Sequence, residues 1–285
     1  MIIAVVGPSG IGKTKASIEL AKKYKAIVVN CDSMQVYKEM NIGTAKITES
    51  EKEGIPHYLF DIRSVLETYS VYEYQNDLRE LISKHQDQNI LIVGGTGLYL
   101  KAGLFDYEFA KRVNKNEYLE LSNEELHDLV LLKDPNSDIH LNNRQRMVSF
   151  LNREVEPNKE PKLLYKTIFV GLNAPRDILY EKINERVEKM LEMGLIEEVK
   201  SLYDKNIRTQ SIMTSIGYKE LYKYFDKEIS LDEAIELIKK NTRRYVKRQY
   251  TWFNNQMDIK WFDVDFNNFN KTIENIINYI ETLDK

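Results

Sequence analysis

Cysteine is almost missing from this 285-residue chain, which has only Cys31. That excludes an intramolecular disulfide framework and a structural zinc site built on several thiolates. A reducing compartment fits, so we expect a cytoplasmic protein. Positive charge is not in excess either: 41 Lys and Arg stand against 44 Asp and Glu, a formal net charge of -3. Any nucleic acid must therefore be held by a local basic face, not by the field of the whole molecule. No apolar run approaches the roughly 18 residues of a spanning helix. The opening run Ile2 to Val6 is too short for a signal-peptide core, so no membrane partner is expected. Internal repeats and low-complexity tracts are also lacking.

What is present is an alternation. Short β-branched runs recur at Ile2–Val6, Ala26–Val29, Ile90–Val93, Thr167–Val170 and Ile259–Phe262. The first three are continuous rather than alternating, which suits central strands of a parallel sheet covered on both faces. Helical patterns lie between them. Ser70 with Glu73 and Ser230 with Glu233 form capping boxes, in which two free backbone donors of the first turn are satisfied reciprocally. Pro175 can open another helix, whose apolar positions Leu179, Ile183, Val187 and Leu191 recur every fourth residue up to Gly194. Residues 105–143 are more polar, with one capped helix (Ser122 with Glu125) and a break at Asp134-Pro135. The expectation is an α/β protein with a core of residues 1–104 and 144–285 and a small helical insertion at 105–143.

Residues 7 to 14 read Gly7-Pro8-Ser9-Gly10-Ile11-Gly12-Lys13-Thr14, a complete G-x-x-x-x-G-K-T between an apolar strand and a helical pattern. In such a P-loop the glycines let successive N–H groups point at phosphate oxygens, and the helix N-terminus adds partial positive charge. Lys13 neutralises bound phosphates and Thr14 offers its hydroxyl to Mg²⁺. The loop alone leaves open which phosphate compound is held, ATP included, because kinases, GTPases, ATPases and some transferases share it. Two signals of the nucleotide-hydrolysing classes are missing. The nearest match to the base-reading N-K-x-D is Asn114-Lys115-Asn116-Glu117, which lacks the Asp and a preceding strand. The strand at 90–93 ends in Gly94-Gly95-Thr96-Gly97 and brings no carboxylate.

An acid does follow the second strand, at Asp32. In a parallel sheet the C-terminal ends of neighbouring strands share one crevice, so Asp32 and the P-loop can face the same ligand. A carboxylate beside phosphates holds a metal ion or takes a proton from an attacking nucleophile.

These residues resemble the tRNA dimethylallyltransferases, the isopentenyl-diphosphate:tRNA transferase family. The likeness runs almost end to end. It is carried by Gly7 to Thr14, Asp32-Ser33-Met34-Gln35-Val36-Tyr37, Asn41 to Lys46, Ile55 to Asp61 and Val93 to Tyr99. Arg144-Gln145-Arg146, Ser215 to Leu221, Asn241 to Gln249 and Thr251-Trp252-Phe253 continue it. The resemblance implies a P-loop NTPase-like parallel sheet flanked by helices. It also implies transfer of a dimethylallyl group from dimethylallyl diphosphate to N6 of adenosine 37 in the tRNA anticodon stem-loop, with Mg²⁺ near Thr14. In that setting the loop holds diphosphate, with Arg186 as a further ligand and Lys13 and Arg186 assisting its departure. Asp32 is the general base, and Thr96 orients the amine.

The acceptor base must leave its stack, at a cost of a few kcal/mol. From Lys239 to Arg248 the chain carries Lys239, Lys240, Arg243, Arg244, Lys247 and Arg248 without an acid, spaced to gather on one helical side. Arg243, Arg244, Lys247 and Arg248 are expected at the tRNA. Ser33, Met34, Gln35, Arg144, Gln145 and Arg146 match family segments that touch it, as Arg112 does within the insertion. The chain is expected to act as a monomer. Two other classes stay open from the residues themselves: a small-molecule or nucleotide kinase, with Asp32 activating a hydroxyl, and a nucleotide-gated RNA-binding protein. His57 and Asp61 have no assigned task.

Overall fold

The computed structural model describes residues 1–109, 118, 120–153 and 160–283. Six parallel strands form one sheet in the order β3-β2-β4-β1-β5-β6. They are β1 (Ile2–Val6), β2 (Ala26–Asn30), β3 (His57–Tyr58), β4 (Asn89–Gly94), β5 (Thr167–Asn173) and β6 (Lys260–Asp263). All five expected strands are found. The one not foreseen, β3, pairs only two residues, Val28 with His57 and Val29 with Tyr58, too few to leave a period in the sequence.

Buried side chains cover the sheet on both faces, which is why β1 and β2 read as unbroken apolar runs. One cluster joins Ile3, Val5, Val28 and Val170 to Leu20 of α1 (Lys13–Tyr24), Leu179 and Ile183 of α6 (Arg176–Glu192), and Ile276 of α11 (Phe269–Leu283). The capping boxes stand at the starts of α2 (Val71–Lys84), α4 (Asn123–Lys133) and α10 (Leu231–Gln256). The remaining helices are α3 (Gly97–Leu104), α5 (Arg144–Leu151), α7 (Leu195–Asp204), α8 (Gln210–Thr214) and α9 (Tyr218–Phe225). Among the described residues no helix is long and apolar enough to cross a membrane.

Two compact units result, one of residues 1–104 and 164–285, the other of residues 105–163. The insertion is therefore longer than the expected 105–143. Met147, Phe150 and Leu151 of α5 bury against Leu126, Val130 and Ile139, so α5 supplies half of the insertion's small core instead of joining the sheet domain. Arg112 and residues 114–117 lie outside the described residues.

Candidate active site

The loop between β1 and α1 owes its shape to two left-handed residues, Gly10 (φ +84°) and Gly12 (φ +97°). Gly12 caps α1 with no side chain of its own, which leaves the first-turn N–H groups open to an anion. The Lys13 ammonium folds over the loop and donates to Gly7 O at 3.0 Å and Pro8 O at 2.9 Å. Burial, reinforced by the Arg186 guanidinium and opposed by Asp32, pushes it down to about 8. Arg186 of α6 is likewise lowered by burial and raised by Asp32. Two partly buried cations that repel one another, with one carboxylate acting on both, make a site short of negative charge.

Asp32 leaves β2 in an Asx turn. Its Oδ1 accepts Met34 N at 2.9 Å, and its backbone N–H donates to Asn30 Oδ1 at 2.9 Å. Asn30, fully buried, also donates through Nδ2 to Asp32 O and Leu59 O, both at 3.0 Å. The second carboxylate oxygen of Asp32 has no hydrogen-bond partner among the described residues, and the carboxylate is near enough to act on the charges of Lys13 and Arg186. Thr96 lies alongside: its Oγ1 accepts Ser33 N at 3.1 Å, and its own N–H donates to Cys31 O at 3.1 Å. Tyr245 of α10 stands beside Thr96. Burial first, and then the charge of Asp32, hold its hydroxyl well above the usual tyrosine range.

Two cavities meet here. A cleft of about 730 Å³ runs along the P-loop past Lys13, Thr14, Lys182 and Lys189. A second cavity of about 230 Å³ has an apolar wall of Ile183, Val187 and Met190 of α6, and reaches Ser33, Met34, Tyr245 and Arg248. Ser9, Asp32, Thr44 and Arg186 line both. The expected base and the expected diphosphate ligand thus stand at the junction.

The family profile of IPP transferase matches residues 35–256. This chain belongs to the IPP transferase family. A tRNA dimethylallyltransferase of Geobacillus thermodenitrificans is 45% identical over 98% of this chain and 96% of that protein. The crystal structure of the full-length tRNA isopentenylpyrophosphate transferase of Bacillus halodurans is 40% identical, with a TM-score of 0.76 over 99% of this chain and 95% of that one. A eukaryotic dimethylallyltransferase acting on tRNA is 27% identical, also at a TM-score of 0.76, over 92% of this chain and 73% of that chain.

The six cations of α10 do not form one face. The Lys239 ammonium is held by Glu188 Oε1 at 2.7 Å and Glu236 Oε1 at 2.9 Å, and Arg243 donates to Asn184 Oδ1 at 2.8 Å. Arg244, Lys247 and Arg248 are exposed, and Arg248 also lies over the Tyr245 ring beside the second cavity. Neighbouring helix α6 carries acids and amides toward one flank of α10, and this divides the charges.

In the insertion, the Arg144 guanidinium donates to Leu121 O at 2.6 Å and Tyr118 O at 3.3 Å, which makes it a tie within that unit. Arg146 pairs with exposed Asp138 at 2.9 Å, and Gln145 is exposed. Gln35 lines the cleft but uses its amide on Thr44 O and Ala45 O, at 3.0 and 3.3 Å.

Some residues gain a task the sequence had not suggested. Asp61 accepts from Lys46 at 2.6 Å, and Lys46 also bonds to Tyr37 O and Asn41 Oδ1, fixing residues 37–46 beside Asp32. Glu198 of α7 completes that clamp by accepting the N–H groups of Asn41, Ile42 and Gly43 at 2.8 to 3.0 Å, together with the Tyr218 hydroxyl at 2.5 Å. His57 donates through Nδ1 to Ile55 O at 2.8 Å and edges the cleft; burial pushes its pKa down, so it serves as a neutral wall. Asn30 and Gln249 were missed as well, since a lone amide in a strand or helix has no motif.

Proposed function

We propose that this chain is a tRNA dimethylallyltransferase that moves the dimethylallyl group of dimethylallyl diphosphate to N6 of adenosine 37, in the anticodon stem-loop of tRNA. The observation that carries the reading is the junction. One carboxylate, Asp32, is shared by a cationic phosphate cleft and a second cavity with one apolar wall. A kinase needs the phosphate cleft, but it has no use for a second chamber walled on one side by Ile183, Val187 and Met190.

The diphosphate lies against the P-loop amides, Lys13 and Arg186. As the bond between C1 of the dimethylallyl group and the diphosphate oxygen breaks, its electron pair leaves with the diphosphate. Charge growing there is met by cations already in place, the kind of preorganised stabilisation that usually dominates catalysis. The apolar wall of Ile183, Val187 and Met190 keeps water from the electron-poor carbon. The adenine amine is a weak nucleophile because its lone pair is delocalised into the ring. As N6 bonds to C1, its proton passes to the free oxygen of Asp32, an assistance worth about 10² to 10⁴ in rate. Thr96 and Ser33 hold the turn against which the base is oriented. Arg244, Lys247 and Arg248 take tRNA phosphates.

The residues present fit Mg²⁺. The Thr14 hydroxyl is exposed in the cleft and makes no hydrogen bond among the described residues. No cluster of three or more His, Cys, Asp or Glu suited to a metal lies among them. One hydroxyl with substrate phosphate oxygens and water is the shell that Mg²⁺ accepts, in preference to an all-protein cage. When bound, the ion adds positive charge at the departing diphosphate. We read the catalytic unit as one chain, since the base and the cradle come from the same sheet.

The test is to incubate the purified protein with unmodified tRNA and dimethylallyl diphosphate and to analyse the nucleosides by mass spectrometry. N6-dimethylallyladenosine at position 37 is expected. Unchanged adenosine, with the protein folded and both substrates bound, overturns the reading.

A further inference from the structure

Helix α10 lowers one side chain between the diphosphate cradle and the turn after β4. Gln249 is 4% exposed, and both ends of its amide are engaged. Its Oε1 accepts Ser9 N at 3.2 Å, and its Nε2 donates to Gly95 O at 3.0 Å. Neither bond is part of a strand ladder or helix. A buried amide with both ends satisfied holds its neighbours to one geometry, because losing either partner leaves a polar group unpaired away from water.

The two ends lead to different halves of the reaction. Ser9 belongs to the P-loop, which grips the leaving group. Gly95 precedes Thr96, whose backbone N–H donates to Cys31 O and whose hydroxyl accepts Ser33 N, the residues on either side of Asp32. The tie is close as well as specific, since a Cβ on Gly95 would lie 2.1 Å from the Gln249 Nε2. Tyr245, one turn earlier on the same helix, stands beside Thr96, and both Tyr245 and Arg248 border the second cavity. The helix carrying the tRNA-facing cations is therefore pinned directly to the diphosphate loop.

We propose that Gln249 is a positioning residue that sets the spacing between the P-loop and the Thr96–Asp32 side of the site, so that departing oxygen, allylic carbon and attacking nitrogen fall in line. It rests on the transferase reading above. Gln249 touches neither substrate in this scheme, so its removal should spare binding and slow the chemical step, where small misplacements are costly.

The experiment measures single-turnover rates at saturating tRNA and dimethylallyl diphosphate, with the dissociation constant of each substrate and the melting temperature taken separately. Gln249→Met keeps the bulk of the side chain and removes both hydrogen bonds. The expected result is a rate lower by about 10- to 100-fold, with both dissociation constants within about threefold of wild type and a melting temperature that falls, because Ser9 N and Gly95 O lose their partner, but stays above the assay temperature.

The double variant Gly95→Ala/Gln249→Ala tests packing on its own, because the alanine methyl at 95 moves into the space the glutamine leaves. It should fold and remain slow. A wild-type rate in Gln249→Met, or recovery of the rate in the double variant, shows that Gln249 merely fills space and overturns the proposal. A wild-type protein that leaves tRNA unmodified overturns the transferase reading and this proposal with it, an outcome visible before any variant is compared.

Discussion

The free-protein ammonium of Lys13, pushed down to about 8, makes diphosphate binding proton-linked in a pH range where few other groups change charge. Burial and the neighbouring Arg186 guanidinium disfavour the charged form. A bound diphosphate puts negative charge against the same ammonium and reverses that preference. The sign follows from the two states. Below pH 8 Lys13 is charged in both free and bound protein, and affinity does not depend on its proton. Above pH 8 the free protein has lost the proton that the complex retains, so binding must take one up. Affinity then falls by about tenfold, or 1.4 kcal/mol, per pH unit. Uptake should be about half a proton at pH 8 and approach one at pH 9.

Titration calorimetry with dimethylallyl diphosphate and no tRNA, repeated in two buffers of different ionisation enthalpy, reads this uptake directly. The ligand's last ionisation, like that of other phosphate esters near pH 6, is about nine-tenths complete at pH 7, and what remains is common to wild type and Lys13→Met. Lys13→Met should bind weakly and lose the proton uptake. Uptake absent from wild type between pH 7 and 9, or equally present in Lys13→Met, would refute the assignment of Lys13 as the charge that meets the diphosphate.

Asp32→Asn preserves the side-chain shape but removes the proton acceptor. Its single-turnover rate should drop by about 10² to 10⁴ while both substrates bind nearly as before, and full activity would take Asp32 out of the chemistry. Arg244→Ala should lower tRNA affinity and reduce the slope of log affinity against log salt by about one; Lys239→Ala, whose ammonium is occupied by Glu188 and Glu236, should leave that slope unchanged. Gly97→Ala would place a methyl 2.0 Å from the Trp252 ring and should cost about 1 to 3 kcal/mol in denaturant unfolding. Arg144→Ala frees the carbonyls of Tyr118 and Leu121, so increased hydrogen exchange across residues 121–151 is expected.

The sheet was legible because its strands are buried on both faces, and the phosphate loop because glycine spacing encodes backbone geometry. Asp32 was legible by position, two residues past the end of a strand that had to reach the same crevice. What escaped were ties made across long sequence separations by residue types with many possible tasks. Gln249 reaches Ser9 across 240 positions, and Glu198 reaches Ile42 across 156. The cations of α10 were countable, but their sorting depends on Asn184 and Glu188, which belong to another helix. The insertion boundary slipped because α5 starts with two arginines among polar residues, while its apolar Met147, Phe150 and Leu151 declare their partners only in three dimensions.

The sheet order also gives a reason for the missing carboxylate at the end of β4. That strand lies between β2 and β1, so the segments leaving those two strands close over its C-terminal end from both sides. A Cβ on Gly94 would sit 2.1 Å from Cys31 O, which is backbone and cannot yield, and Gly97 is pressed by Trp252 of α10. A side chain large enough to carry an acid does not fit at Gly94. The carboxylate stands one strand over, on Asp32, beyond the end of β2. There it borders both cavities instead of the phosphate cleft alone. A phosphate loop whose acid has access to a second chamber is suited to moving a group off the phosphate and onto an acceptor that enters from elsewhere. Lengthening the side chain at 94 should therefore disrupt Asp32 before it disturbs the loop.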